Sequence, residues 1–140
     1  LGTILRTADA AGVDGLVLVG NCCDPFSVEA VRATMGSLFA MPLAEATFAD
    51  FSGWRSKVCA RMAAASMRGT AAHDNADFGA KSIVLMGNEQ AGLPSAVEAE
   101  CDVLVRIPMM GAADSLNLAS AASIMIYEVW RSRGFVGAGK

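Results

Sequence analysis

Four residues of this chain stand where α/β proteins place side chains that act on ligands. Ser115 and Asn117 form a Ser-x-Asn pair at the entry of a long Ala/Ser/Ile/Met run that continues to Trp130. The helix expected there is almost wholly apolar, so polar groups at its mouth need partners inside the protein or on a ligand. Glu89 lies in the loop Gly87-Asn88-Glu89-Gln90-Ala91-Gly92-Leu93-Pro94. Its two glycines permit a tight backbone path and close approach to a ligand. Arg6 falls in the first turn of a predicted helix, the unfavourable end of the macrodipole for a cation. It is therefore either paired, with Asp9 at i+3 the ordinary partner, or held for an anion. The ordinary readings of the others are an N-cap for Ser115, a first-turn residue bonding to backbone for Asn117, and a surface loop charge for Glu89.

Composition removes several other chemistries. His73 is the single histidine, and Cys22, Cys23, Cys59 and Cys101 contain no CxxC pair. A zinc site or a Ser–His–Asp triad is not expected, and no metal is predicted. Cysteines so arranged fit a reduced, intracellular, cytoplasmic protein. No apolar run of membrane-spanning length occurs, so no membrane partner is expected. The net charge of −3 argues against an extended basic nucleic-acid surface. Arg55, Lys57, Arg61 and Arg68 form the concentrated basic cluster, read from charge as a solvated helix face rather than a phosphate contact. A hydrophobic fraction of 54% is rich for an average soluble domain and leaves apolar material for a core and for a buried oligomer surface.

The elements that must position these residues alternate. A helix is predicted from Thr3, as N-cap, to Ala11, stopped by Gly12. Leu16 to Val19 reads as a buried parallel strand. A helix from Ser27 to about Gly36 should bury Val28, Val31 and Met35. Phe39, Met41 and Leu43 alternate as a short strand or extended segment. The spacing of Trp54, Val58 and Met62 predicts a helix over 50–65. Met67 to Ala72 and Ser82 to Met86 read as strands, and Ser95 to Glu100 as a short acidic helix. Val103 to Ile107 reads as a strand ended by Pro108, with the last helix beginning near Ser115 and ended by Arg131, Arg133 and Gly134. One α/β domain with a mainly parallel sheet flanked by helices follows. The loops after Val19, Met86 and Ile107 should converge beyond the carboxyl ends of the strands, with the ligand pocket built from 87–93 and 108–117.

Three segments together resemble a known family. Leu1-Gly2-Thr3-Ile4-Leu5-Arg6-Thr7-Ala8 resembles motif 1 of the SpoU/TrmH RNA 2′-O-ribose methyltransferases. Gly87-Asn88-Glu89-Gln90-Ala91-Gly92-Leu93 resembles their motif 2. Ile107-Pro108-Met109-Met110-Gly111 with Ser115-Leu116-Asn117-Leu118-Ala119 resembles motif 3. The three occur in the family's order and span nearly the whole chain. Motif 1 normally opens with an Asn two residues before the glycine, preceded by a strand. Neither is present, and the chain opens at Leu1, so the first strand and any N-terminal extension are expected to be missing upstream.

The resemblance implies a SPOUT fold with a C-terminal trefoil knot, which general connection rules disfavour. It implies an S-adenosyl-L-methionine site contacted, largely through main chain, by Gly87, Ile107 and Leu116. Thr70, Leu85, Met86 and Met109 are further wall residues. It implies methylation of a ribose 2′-OH of tRNA or rRNA, and a homodimer through the C-terminal helix. The family's functional residues fall on Arg6, Glu89, Ser115 and Asn117. A guanidinium is a poor base, so Arg6 is read as a clamp on the RNA phosphate and the developing alkoxide. Asn117 and Ser115 would orient the methionine end or the ribose, and Glu89 would orient Arg6 or Asn117. A non-catalytic SPOUT domain that binds cofactor or RNA is the second reading. A nucleotide- or flavin-binding domain is the third; Gly20-Asn21-Cys22-Cys23-Asp24 offers it no phosphate-cradling GxGxxG.

Overall fold

The computed structural model describes residues 1–139. The chain forms two compact units, Leu1–Cys59 and a second beginning at Ala60. The first contains α1 (Gly2–Ala10), β1 (Leu16–Val19), α2 (Val28–Thr34), a 3₁₀ turn (Ser37–Phe39), β2 (Leu43–Ala46) and α3 (Phe48–Val58). β1 and β2 pair in parallel, from Leu16 opposite Leu43 to Val19 opposite Ala46. Parallel neighbours need a crossover, which α2 and the 3₁₀ turn supply.

α1 stops at Gly12 as expected. The Val13 N–H donates to the Ala8 carbonyl at 2.9 Å and the Gly12 N–H to that of Asp9 at 3.0 Å, a Schellman ending. Its start differs from expectation, because Thr3 lies inside the helix and no side chain caps it. Packing sets this entry. A Cβ on Gly2 would lie 2.4 Å from the Ala30 oxygen and 2.6 Å from the Ala33 Cβ. The same closeness overturns the expected stripe on α2: Val28 is 61% and Met35 76% exposed, while Ala30 and Thr34 are buried. α1 comes near enough that only the small side of α2 fits against it. Ser27 does cap α2, its Oγ accepting from the Ala30 N–H at 3.3 Å.

The helix expected over 50–65 is two elements. Thr47 starts α3, accepting the Asp50 N–H at 3.1 Å and donating to the Asp50 carboxylate at 2.6 Å. The helix ends at Val58, and Cys59 turns left-handed with φ 51°. Trp54 is exposed on α3, and Phe51 is the buried residue. Met62, placed on that helix by its spacing, belongs to the next strand.

The second unit contains β3 (Arg61–Ala65), β4 (Ala71–Ala72), β5 (Ser82–Leu85), α4 (Ser95–Glu98), β6 (Val103–Arg106) and α5 (Leu118–Ser132). Its sheet has the order β4-β6-β3-β5, all neighbours parallel. The architecture is α/β with a mainly parallel sheet, as expected. Ala63 of β3 and Val105 of β6 pack with Phe78, Met125 and Val129 in the core. Small residues on the central strand make room for the larger ones of α5.

α5 begins at Leu118 rather than near Ser115. Asn117 caps it, its Oδ1 accepting from the N–H groups of Ala119 (2.9 Å) and Ser120 (3.4 Å). Ala122, Met125, Glu128 and Val129 are buried, whereas Ser120 and Tyr127 are exposed. Glu128 holds Arg131 through both carboxylate oxygens, and Arg131 also donates to the Asp74 carbonyl at 3.0 Å. The hydrogen bond to Glu128 and its charge raise the Arg131 pKa above the ordinary arginine value. That contribution is complete below the unfolded guanidinium pKa and is lost only as pH rises through the raised value. The helix ends at Gly134 in a Schellman motif, with the Phe135 N–H on the Trp130 carbonyl and the two rings 5.2 Å apart.

The residues of the basic cluster do not share one helix. Arg61 pairs with Asp77 at 3.1 Å and Arg68 with Glu98 at 2.8 Å, while Arg55 and Lys57 belong to α3. No helix among the described residues is long and apolar enough to cross a membrane.

Candidate active site

In an all-parallel sheet the loops leaving the strand carboxyl ends meet along one edge. Three such loops build a cleft of about 440 Å³ in the second unit. That lies within the small-molecule range of roughly 300–1,000 Å³. Ala65 ends β3 and Ser66 to Arg68 follow it, Met86 to Leu93 follow β5, and Ile107, Met109 and Asp114 to Leu116 follow β6. Leu118 and Ala121 close it from α5, and Glu98 reaches it from α4.

The loop after β5 is shaped by its own backbone. Asn88 and Gly92 form an antiparallel bridge, with the Asn88 N–H on the Gly92 oxygen at 3.1 Å and the return bond at 2.8 Å. The Asn88 Oδ1 accepts from the N–H groups of Gln90 and Ala91. Gly87 is required by contact: a Cβ there would fall 2.4 Å from the Gly92 carbonyl carbon. The fold of this loop leaves Glu89 at its exposed tip.

Glu89 is tied to the helix mouth. Its Oε1 accepts from Asn117 Nδ2 at 2.8 Å and from the Leu118 N–H at 3.5 Å. Asn117 thus works with both ends of its amide, capping α5 with the oxygen and holding Glu89 with the nitrogen. Ser115 and Leu116 lie in the loop before α5 and face the cleft. Of the expected wall residues, Met86, Gly87, Ile107, Met109 and Leu116 line it. Thr70 and Leu85 do not: Thr70 is an exposed residue before β4, and Leu85 ends β5 within the sheet. Arg6 is exposed on α1 in the first unit.

The cleft also contains side chains not expected there: Arg68 was read as part of a solvated basic face, and Ser66 and Asp114 were given no role. The Ser66 Oγ donates to Glu98 at 2.6 Å, and Arg68 pairs with the same carboxylate at 2.8 Å. Asp114 lines the cleft beside Ser115. Ser66 and Arg68 were hidden by the long-helix reading of 50–65, which left no strand end for them to follow. Asp114 was detectable as the acid adjoining the Ser-x-Asn pair.

A parallel α/β unit with a ligand-sized cleft at its strand ends, closed by a polar-capped helix, is the class defined by this geometry. The model of the SpoU rRNA Methylase family matches residues 1–127, and the chain belongs to that family. It is 39% identical over 142 residues to the 23S rRNA (uridine(2479)-2′-O)-methyltransferase of Streptomyces viridochromogenes, covering 95% of this chain and 48% of the relative. An AdoMet-bound rRNA methyltransferase from Sinorhizobium meliloti superposes with a TM-score of 0.88 at 51% identity, over 94% of this chain and 51% of that one. The SpoU methyltransferase AviRb from Streptomyces viridochromogenes, in complex with the cofactor AdoMet, gives 0.87 at 35% identity, over 96% and 55%. The chain spans about half the length of these relatives.

Proposed function

We propose that this chain is the catalytic domain of an RNA 2′-O-ribose methyltransferase that uses S-adenosyl-L-methionine, with tRNA or rRNA as acceptor. The observation that carries the reading is the Asn117–Glu89 hydrogen bond, which joins two family motifs across the mouth of the cleft. The family match runs through both units, which supports a single methyltransferase domain.

The cleft suits that cofactor. Met86, Ile107, Met109 and Leu116 offer apolar walls for a flat adenosyl group, and Glu89, Asp114 and Ser115 supply polar groups around them. Backbone N–H and C=O groups at Gly87, Ile107 and Leu116 can bind through the main chain although two of these side chains are apolar. S-adenosyl-L-methionine supplies a sulfonium methyl that is already activated for transfer. The protein's task is to place a ribose 2′-OH in line with it and to ease removal of the proton. Asn117, fixed by Glu89, and Ser115 orient the methionine end or the ribose. Arg6 acts as a cationic clamp on phosphate and developing alkoxide, with the proton passing to the phosphate or a partner group.

Three further parts belong to this reading. A trefoil knot in the second unit is supported by β6 lying between β3 and β4 and by α5 meeting both ends of the β4–β5 connection: Arg131 donates to the Asp74 carbonyl and Arg133 to Ser82 Oγ at 2.7 Å. A homodimer through α5 is supported by Tyr127, 42% exposed on that helix. A cytoplasmic location is supported by a cysteine usage without any CxxC pair.

Methyl transfer from labelled S-adenosyl-L-methionine to bulk RNA by the full-length protein tests the proposal. Alkali-resistant incorporation is the expected result. Cofactor binding without incorporation would leave the non-catalytic domain as the answer.

A further inference from the structure

One polar cluster in the cleft is not accounted for by the family motifs. Ser66 follows β3 and closes a tight turn, with the Gly69 N–H on its carbonyl and the Arg68 N–H on its Oγ at 3.1 Å. The same hydroxyl donates to Glu98 Oε1 at 2.6 Å. Glu98 Oε2 takes the Arg68 guanidinium at 2.8 Å. The three residues thus form a closed ring of interactions: the turn fixes the arginine's backbone, and the carboxylate fixes its head. Glu98 is only 8% exposed, so its charge depends on that pairing.

The guanidinium also reaches outward. Its NH1 donates to Ser95 Oγ at 3.1 Å and its NH2 to the Leu93 carbonyl at 3.5 Å. Leu93 directly follows Gly92, the closing residue of the Asn88–Gly92 bridge. The loop carrying Glu89 is therefore tied on two flanks, to the head of α5 through Glu89 and to the turn after β3 through Arg68. Both ties border the cleft.

We infer that Arg68, seated on Glu98, is a positioning residue: it holds the Gly87–Leu93 loop against the turn after β3 and so sets the affinity of the cleft for its adenosyl ligand. The inference rests on the methyltransferase reading above. The several fixed N–H donors of a guanidinium are essential to the role, because NH2 must serve both Glu98 and the Leu93 carbonyl while NH1 serves Ser95. Lysine, a single point charge, can keep the ion pair but cannot also hold the loop.

The test is calorimetric binding of S-adenosylhomocysteine to wild type, Arg68→Lys, Arg68→Met and Glu98→Gln, with steady-state methyl transfer beside it. Arg68 is 60% exposed on its side chain, so its variants are expected to fold. Both should bind the ligand about tenfold more weakly, the loss expected for one or two hydrogen bonds of this kind. KM for S-adenosyl-L-methionine should rise by a similar factor with kcat within about twofold of wild type, because ground-state and transition-state binding are lost together. Glu98→Gln keeps an acceptor for Ser66 and should fall between wild type and Arg68→Met. A fall in thermal stability with unchanged ligand affinity in both Arg68 variants would make the cluster merely structural and overturn the inference alone. Failure of the wild-type protein to bind would overturn the methyltransferase reading, and this inference with it.

Discussion

Asn117 carries two duties that a single substitution can separate. Its Oδ1 caps α5 and its Nδ2 holds Glu89. Asn117→Ala removes both, costing about 1 kcal/mol for the cap and freeing the Glu89 loop. Asn117→Asp keeps a good cap, since aspartate accepts the same N–H groups and suits a helix N-terminus. It loses the donor, however, and sets a second carboxylate against Glu89. Stability near wild type with methyl transfer reduced at least about tenfold is expected for Asn117→Asp, read by calorimetric melting and labelled-methyl incorporation. Equal activity in the two proteins would show that Asn117 acts only as a cap. The Ser-x-Asn pair was legible because polar residues stood before an apolar run. Which of the two caps was not, since both can do so and only the path of the loop after Pro108 decides.

The clearest gap between pattern and element lies at Cys59. Val58, Met62 and the alanines between and after them satisfy helical spacing, and alanine is the best helix former. What ends the helix is not a visible breaker but tertiary pairing: Arg61 to Ala65 lie between two parallel partners, β5 and β6, where small side chains suit a strand covered by α5. Cys59 has φ 51°, a conformation that costs a non-glycine residue roughly 1–2 kcal/mol. The two readings therefore predict opposite signs for Cys59→Gly. In a helix interior glycine would destabilise by about 1 kcal/mol. At a left-handed helix end it should stabilise by about 0.5–1 kcal/mol, relief of strain being partly offset by a freer unfolded chain. A higher melting temperature is expected; a lower one would argue for the continuous helix. The apolar strands β1 and β5, by contrast, were evident from short branched runs beside glycine, and the loop after β5 was placed at the cleft for the same reason.

For the whole molecule, charge and surface raise one question: how a chain of net charge −3 would hold RNA. Several of its cations are already engaged, Arg61 with Asp77, Arg68 with Glu98 and Arg131 with Glu128. Phosphate contacts drive most RNA affinity, so a chain of this charge is expected to hold RNA weakly as a single copy. Doubling the surface by self-association answers part of this, and α5 is where the sequence pointed. Its outward side carries Tyr127, stacked edge-on to Trp130 at 5.5 Å and 42% exposed. An aromatic pair held this way keeps little rotamer freedom to lose on association, which makes it a good interface anchor. Tyr127→Asp tests the idea. On a free surface such a change shifts stability by no more than about 0.5 kcal/mol. Across a two-fold interface the charge would be buried twice, once from each copy. Sedimentation should show a dimeric wild type and a monomeric, still folded variant, with RNA methylation falling alongside. A wild-type monomer, or a variant that stays dimeric, would remove α5 from the interface and leave the RNA affinity to be explained by other parts of the protein.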